Sequence, residues 1–335
     1  MKSKLYPLFF AILIPFFIIF ILFISTKNDL DIVFDRMYTD SLIIRQSSID
    51  LGLKNPTRLQ INRGIFYIND MAEGQIFCIS KEGRSVKAYP RDCGQDKFGL
   101  VLGYSVDTSK LLVLDQRKKQ YYRIDLNRDL IRSDTLEAIE RAVPVNDSLI
   151  LGMELSPKDH EVSMVFRNIR NRLETPIAAN LVQYHDGGFG NDGLFSHTSV
   201  SNKAVYLLYH IGRFYVIDFT DLTAKAYSTI DRYSKAPEFV KSGHSFTLSR
   251  KTLTVNRISA NNSKYLFVIS NIKTRKDKIN NLRSDIMDVY DLSTGAYLNS
   301  ISIEGTDKAH VVDLYADDHT ITLLTRTQLL RYAIH

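Results

Sequence analysis

The stretch AVYLLYHIGRFYVIDF, Ala204–Phe219, sets the terms on which this chain can fold. Aromatic and β-branched residues stand on both sides of a glycine turn. That pattern predicts a hairpin, with a strand over Ala204–His210, a turn at Ile211-Gly212-Arg213 and a second strand over Phe214–Phe219. The unit recurs. Short apolar runs, separated by turns rich in Asn, Asp, Ser, Gly and Pro, group in fours from residue 57 to residue 303. Their second strands are expected over Ile65–Asp70, Lys110–Gln116, Ser148–Leu155, Ala204–His210 and Lys264–Ser270. A sixth unit, Ala309–Tyr315, Thr320–Thr325 and Leu329–Ile334, is one strand short.

Four-stranded units in series predict a β-propeller, and a propeller must close its ring or leave an unpaired edge. The spare run lies at the other end of the chain: DSLIIRQSSID, Asp40–Asp50, has no partner in the first unit. The fold expected is therefore an all-β, six-bladed β-propeller over residues 41–335, with residues 41–50 as the closing strand of the last blade. Blades packed on both faces explain nearly continuous apolar strands such as KYLFVIS and HTITLLT. A two-domain β-sandwich is the structural alternative; it leaves the period unexplained. The 18 tyrosines, 18 phenylalanines and absence of tryptophan suit a strand-rich fold.

The first segment stands apart. Leu5–Ile24 carries no charge and is long enough to cross a bilayer as one transmembrane helix. Lys2 and Lys4 precede it, so residues 1–4 are expected in the cytoplasm and the body outside it, in the periplasm. Residues 25–40 read as a linker. A cleaved signal peptide is the rival reading; against it, the apolar run is long and ISTKND offers no small-x-small site. On this reading the partners are the cytoplasmic membrane, through Leu5 to Ile24, and not nucleic acid. The net charge of +6 permits an anionic partner without specifying one.

Two cysteines are present. In an oxidising compartment Cys78 and Cys93 are candidates for a disulfide. Cys78 falls within a strand, QIFCIS, and Cys93 in a loop, so a buried thiol and a loop thiol is the competing reading. Their spacing is not that of a metal site.

The long segments 179–193, 231–244 and 271–285 fall at the rim where inner strands enter, as do the turns between second and third strands. Long loops on a rigid scaffold are where binding usually resides. These turns are basic, with Arg117, Lys118, Lys119, Arg213, Lys273, Arg275 and Lys276. Such a face attracts anionic groups, or is simply solvated. Arg58, Arg141, His197 and His310 fall near entry ends of inner strands and are expected at the channel mouth. Two histidines with Asp313 nearby have a metal reading, but no short-range ligand pair supports it, and no metal is expected. HDGGFG, at 185–190, shares only its glycines with a phosphate loop. No GxSxG, HExxH or dinucleotide fingerprint occurs, and no cofactor is expected.

The segments VYDLSTGAYLNSISI (289–303) and FGLVLGYSVDTSKLLVLDQ (98–116) resemble six-bladed propellers of the NHL/TolB-like superfamily. DGLFSHTSVSNKAVYLLYHIGRFYVIDF (192–219) and VVDLYADDHTITLLTRTQLLRYAI (311–334) resemble uncharacterised membrane-anchored propellers of the Bacteroidota. The resemblance implies an extracytoplasmic scaffold that binds a protein or ligand on its loop-rich face, accessory to a membrane redox or transport complex. It implies no catalytic residues. A metal-dependent hydrolase or lyase with a channel-mouth site is the alternative.

Overall fold

The computed structural model describes residues 34–39, 43–90 and 97–334, apart from 108, 137–140, 157, 159–160, 185, 187, 198–200, 243–244, 280–281, 283, 304–305 and 307–309. The transmembrane expectation for Leu5–Ile24 lies outside these residues, as does Cys93. Among the described residues no helix is long and apolar enough to cross a membrane.

Six blades, each of four antiparallel strands, radiate from one axis, and one short parallel strand is added to the edge of the fourth. The chain opens with β1 (Ile43–Asp50) and then builds blade one from β2 (Pro56–Asn62), β3 (Ile65–Asp70), β4 (Gln75–Ile79) and β5 (Ser85–Tyr89). Blade two is β6 (Val101–Val106), β7 (Lys110–Asp115), β8 (Gln120–Asp125) and β9 (Leu130–Thr135). Blade three is β10 (Arg141–Pro144), β11 (Leu149–Leu155), β12 (Val162–Asn168) and β13 (Glu174–Pro176). After the short β14 (Ala178–Ala179), blade four is β15 (Gly193–His197), β16 (Lys203–Leu208), β17 (Arg213–Asp218) and β18 (Thr223–Ser228). A rim hairpin, β19 (Phe239–Ser242) and β20 (Ser245–Leu248), leads to blade five: β21 (Asn256–Asn261), β22 (Tyr265–Ser270), β23 (Asp285–Asp291) and β24 (Tyr297–Ile303). The short helix α1 (Arg275–Ile279) lies between β22 and β23. Blade six is β25 (Val311–Ala316), β26 (Thr320–Thr325) and β27 (Gln328–Ile334), and its outer strand is β1. Inner strands β2, β6, β10, β15, β21 and β25 touch in that order, and β25 returns to β2.

Alternation along the second strands builds the core. In β7, Leu111 and Val113 face blade one while Leu112 and Leu114 face blade three, and all four are buried. A two-residue period with both faces covered gives the apolar runs of the sequence. The buried apolar residues divide accordingly into six clusters, one at each seam between neighbouring blades. Outer strands β9 and β18 are largely exposed.

The two faces of the disc differ. On the exit face, short turns are held by Asp or Asn side chains that accept amide hydrogens two and three residues on, as at Asp107, Asn146, Asn262 and Asp317. The entry face carries the longer connections, and two of them are fixed by a buried carboxylate. Asp70 accepts from the Lys54 amide at 2.7 Å, and Asp115 from the Gly99 amide at 2.6 Å.

Residues 34–39 depart from the expected linker. They pack along the edge of blade five, with Tyr38 bridged in parallel to Ser300. Arg36 is buried, its Nε and one terminal nitrogen gripping Asp288 at 2.8 and 3.0 Å. Its guanidinium also donates to Asp277 at 2.9 Å and to the Ser270 hydroxyl at 3.1 Å. Two buried carboxylates would be left unpaired without it, and that demand recruits the segment.

The Ala204–Phe219 hairpin is shorter than its sequence predicts. β16 ends at Leu208, because the amide of Tyr209 turns to Asp192 at 2.9 Å and its carbonyl accepts from Val255 at 2.7 Å. His210 follows, its Nδ1 3.0 Å from the Leu253 carbonyl. Cys78 is a free thiol in the seam between blades one and two, and burial pushes it up to about 12. In this structure it is part of the core and not of a disulfide.

Candidate functional site at the channel mouth

Four of the six inner strands begin with the same irregularity. A bulge interrupts pairing between Pro56 and Arg58, Val101 and Gly103, Asn256 and Ile258, and Val311 and Asp313. The extra residue twists the strand and redirects its side chains at the rim, a device common beside binding sites. Arg58 on blade one and Asp313 on blade six thereby occupy equivalent places on adjacent strands. Arg257 is itself a bulge residue of blade five.

These groups surround an entry-face cavity of about 280 Å³, lined among others by Arg58, Asn69, Tyr209, Arg257 and Asp313. A narrower space of about 80 Å³ continues down the axis past Tyr104, Ser196 and Ser259. Gly103 permits that constriction, since a Cβ there would stand 2.8 Å from the Ala142 carbonyl of the next blade.

Asp313 is 6% exposed, and its Oδ2 accepts the Leu59 amide at 2.7 Å across the seam between blades six and one. Burial pushes its carboxyl up to about 6, against the pull of the Arg58 charge and of the amides it accepts. The Arg58 backbone is fixed from the other side: the Tyr104 hydroxyl lies 2.8 Å from its carbonyl and 2.6 Å from that of Tyr67. The Arg58 guanidinium makes no hydrogen bond among the described residues. Arg141 holds Asp192 with two nitrogens, at 2.8 and 2.7 Å, and Arg257 holds Asp285 at 2.9 Å. Tyr209 reaches the cavity from the turn between β16 and β17. Burial raises its hydroxyl, which also feels the charges of Arg58, Arg141, Asp192 and Asp313.

Asn69 is 3% exposed and donates through Nδ2 to Thr57 at 2.8 Å. Its Oδ1 is buried without a partner, and so is Nε of Arg257. Unpaired polar atoms of both kinds around one cavity are costly unless something occupies it.

Of the side chains expected at the mouth, Arg58 and Arg141 line the channel. His310 lies at the entry rim, largely exposed, with Nδ1 3.1 Å from Asp285. His197 lines the same axial space, but at its far end and away from the entry-face cavity. It is the last residue of β15, at the exit end, where its ring packs 5.2 Å from Phe219, and burial lowers it to about 4. An inner strand of β15's length separates the two histidines, roughly 16 Å of rise, which removes the metal reading for the pair.

The basic turn residues stay on the outer rim, and none lines the cavity. Arg117 and Lys119 are exposed and Lys118 half-buried on blade two, and Arg213 is half-buried on blade four. On blade five Lys273 donates to the Leu282 carbonyl, Lys276 pairs with Asp35 at 3.0 Å and Arg275 is exposed. The glycine loop is likewise engaged with itself: buried Asp186 accepts the amides of Gly188 and Gly190 at 3.0 and 2.7 Å. Amides that would hold a phosphate are already taken.

Tyr209, Asn69 and Arg257 are the site residues that sequence reasoning missed. The available signal was positional: in NRIS, as in PTRLQ and RAVP, an arginine interrupts the start of an otherwise apolar inner strand.

The closed ring and its entry-face cavity define the class, a six-bladed β-propeller with a polar axial site. No family model matches the chain, and no curated protein matches it in sequence. Among solved structures, a putative exported protein from Bacteroides fragilis is similar at a TM-score of 0.55, 10% identical over 89% of this chain and 98% of that one. A member of the DUF4221 family from Bacteroides vulgatus is similar at 0.52, 12% identical over 89% and 99% of the two chains. Virginiamycin B lyase from Staphylococcus aureus gives 0.48, with 10% identity over 88% and 100%. At these identities the likeness is one of fold.

Proposed function

We propose that the protein is an extracytoplasmic binding module, tethered to the cytoplasmic membrane by Leu5–Ile24, whose entry face holds its partner. The observation that carries this reading is the entry face itself: a closed ring that gathers its long connections and four bulged inner-strand ends around one polar cavity. The Lys2 and Lys4 flank and the exported neighbour from Bacteroides fragilis support the compartment. We place the chain with the NHL/TolB-like membrane-anchored propellers its segments resemble, and propose a protein partner of a membrane redox or transport complex on the rim formed by Arg117, Lys119, Arg213 and Arg275.

The test uses intact membranes. A photocrosslinking residue at Lys119 or Arg275 is expected to capture one discrete protein, while the same residue at Asp221 or Asp318, on the exit face, captures none. A reporter fused after His335 is expected to be active only outside the cytoplasm. Equal capture from both faces, or activity of a cytoplasm-only reporter, overturns the reading.

A further inference from the structure

The cavity at the channel mouth has an unspent hydrogen-bonding inventory of two opposite kinds. On the donor side stand the Arg58 guanidinium, the Tyr209 hydroxyl and Arg257 Nε; among the described residues none of these three groups has a hydrogen-bond partner. On the acceptor side stand Asn69 Oδ1, buried without a partner, and the remaining lone pairs of Asp313. The orientation of Asn69 is not arbitrary. Its Nδ2 is committed to Thr57, whose hydroxyl is turned to the Asn69 carbonyl at 3.4 Å, and this leaves Oδ1 of a cavity-lining residue without a donor among the described residues.

Charge narrows the occupant further. Three guanidiniums, Arg58, Arg141 and Arg257, are matched by three carboxylates, Asp192, Asp285 and Asp313. A plain anion would satisfy Arg58 and leave Asn69 Oδ1 orphaned beside a surplus negative charge; a plain cation would do the reverse. Uncompensated charge in a partly enclosed cavity is expensive. A ligand that carries both signs, close together, meets both halves of the inventory without a net charge. Size sets the scale, because about 280 Å³ is at or below the small end of ligand pockets. An oligosaccharide or folded peptide does not fit such a space.

We propose that the channel mouth is a binding site for a small zwitterion of the α-amino acid type, with its carboxylate on Arg58 and Arg257 and its ammonium on Asn69 Oδ1 and Asp313. Tyr209 closes over the carboxylate as a further donor. This site is independent of whether the outer rim carries a protein partner, so its failure leaves the crosslinking experiment untouched, and the converse holds.

The test is thermal denaturation and calorimetric titration of the detergent-solubilised full chain against the common L-amino acids at millimolar concentration. At least one is expected to raise the melting temperature with a saturable dose dependence. For that ligand, the carboxamide and the deaminated acid are each expected to bind at least tenfold more weakly. Tyr209→Phe removes only a hydroxyl that no group among the described residues uses; it is expected to weaken binding several-fold while leaving the ligand-free melting temperature unchanged. Arg58→Gln is expected to weaken binding tenfold or more. The proposal is overturned if no amino acid stabilises the chain, if the deaminated acid or inorganic phosphate binds as well as the amino acid, or if Tyr209→Phe binds like the parent.

Discussion

Arg36 is the residue whose removal is expected to cost most for least volume. It lies outside the blades, yet its side chain is fully buried and it makes four hydrogen bonds, two of them a fork onto Asp288. Asp277 also accepts from the Tyr38 hydroxyl at 2.5 Å, and Asp288 from the Ser300 hydroxyl at 2.5 Å. Burial would raise Asp277, but the bonds from Tyr38 and Thr274 and the charge of Arg36 more than offset it and hold it below the usual carboxylate value. Arg36→Met keeps the bulk and deletes the charge, stranding two carboxylates. Breaking a buried pair in this way costs about 3–5 kcal/mol. For a ring of about 300 residues that corresponds to a fall in melting temperature of roughly 5–8 °C. The assay is thermal unfolding of the full chain at pH 7, followed by circular dichroism. The triple variant Arg36→Met, Asp277→Asn, Asp288→Asn is expected to recover most of the loss, since it removes the stranded charges. A single variant that melts within 1 °C of the parent, or a triple variant no better than the single, would refute the argument that charge burial holds this segment.

Two further outcomes follow from the seam between blades six and one. Asp313 binds its proton more tightly in the folded chain, about 6 against an ordinary 3.8. Its ionisation therefore costs stability as the pH rises from about 4 through about 6, a total of roughly 3 kcal/mol. Asp313→Asn is expected to be more stable than the parent at pH 7 by up to that amount and to lose the advantage at pH 4; a constant difference across urea titrations at both pH values would count against it. Deletion of residues 1–39 removes the Leu5–Ile24 segment and the Arg36 contact, whereas deletion of residues 1–50 also strips β1 from the edge of β27. The longer deletion is expected to aggregate or melt markedly lower, because an unpaired apolar edge recruits other chains. Equal melting and solubility would refute closure through β1.

The ring was legible in the sequence because its cause is repetitive. Each second strand buries both faces, so LLVL, YLFVIS and TITLLT read as apolar runs, and many exit-face turns carry an Asx residue at their start. The shortage of one strand in the last unit was equally visible, and the fourth strand of that blade is β1. The site was only half visible. A bulge shifts facing by one residue, so Arg257 and Arg58 sit at different offsets from their strand starts, and simple alternation cannot assign both to one cavity. Tyr209 reads as the end of a strand; it becomes a rim residue only through bonds to Asp192 and Val255, which are distant in sequence or belong to another connection. His197 failed for the opposite reason: the strand is short, and its last residue is already at the far face. The Arg36 contact has no periodicity to betray it, since a single docked side chain leaves no pattern.

The pairing of β1 with β27 has a consequence in time. The Asp50 carboxylate accepts from the Gln328 side chain at 2.7 Å across 278 residues of chain, and β1 meets its partner strand only when the last of blade six has been made. Until β25 is made, the chain holds an arc of blades with the first inner strand β2 lacking its neighbour on one side. Such non-local closure is slow compared with hairpin formation, which each blade completes on its own. Until Gln328–Ile334 is made, β1 and β26 lack the strand that lies between them, so the last blade cannot be completed.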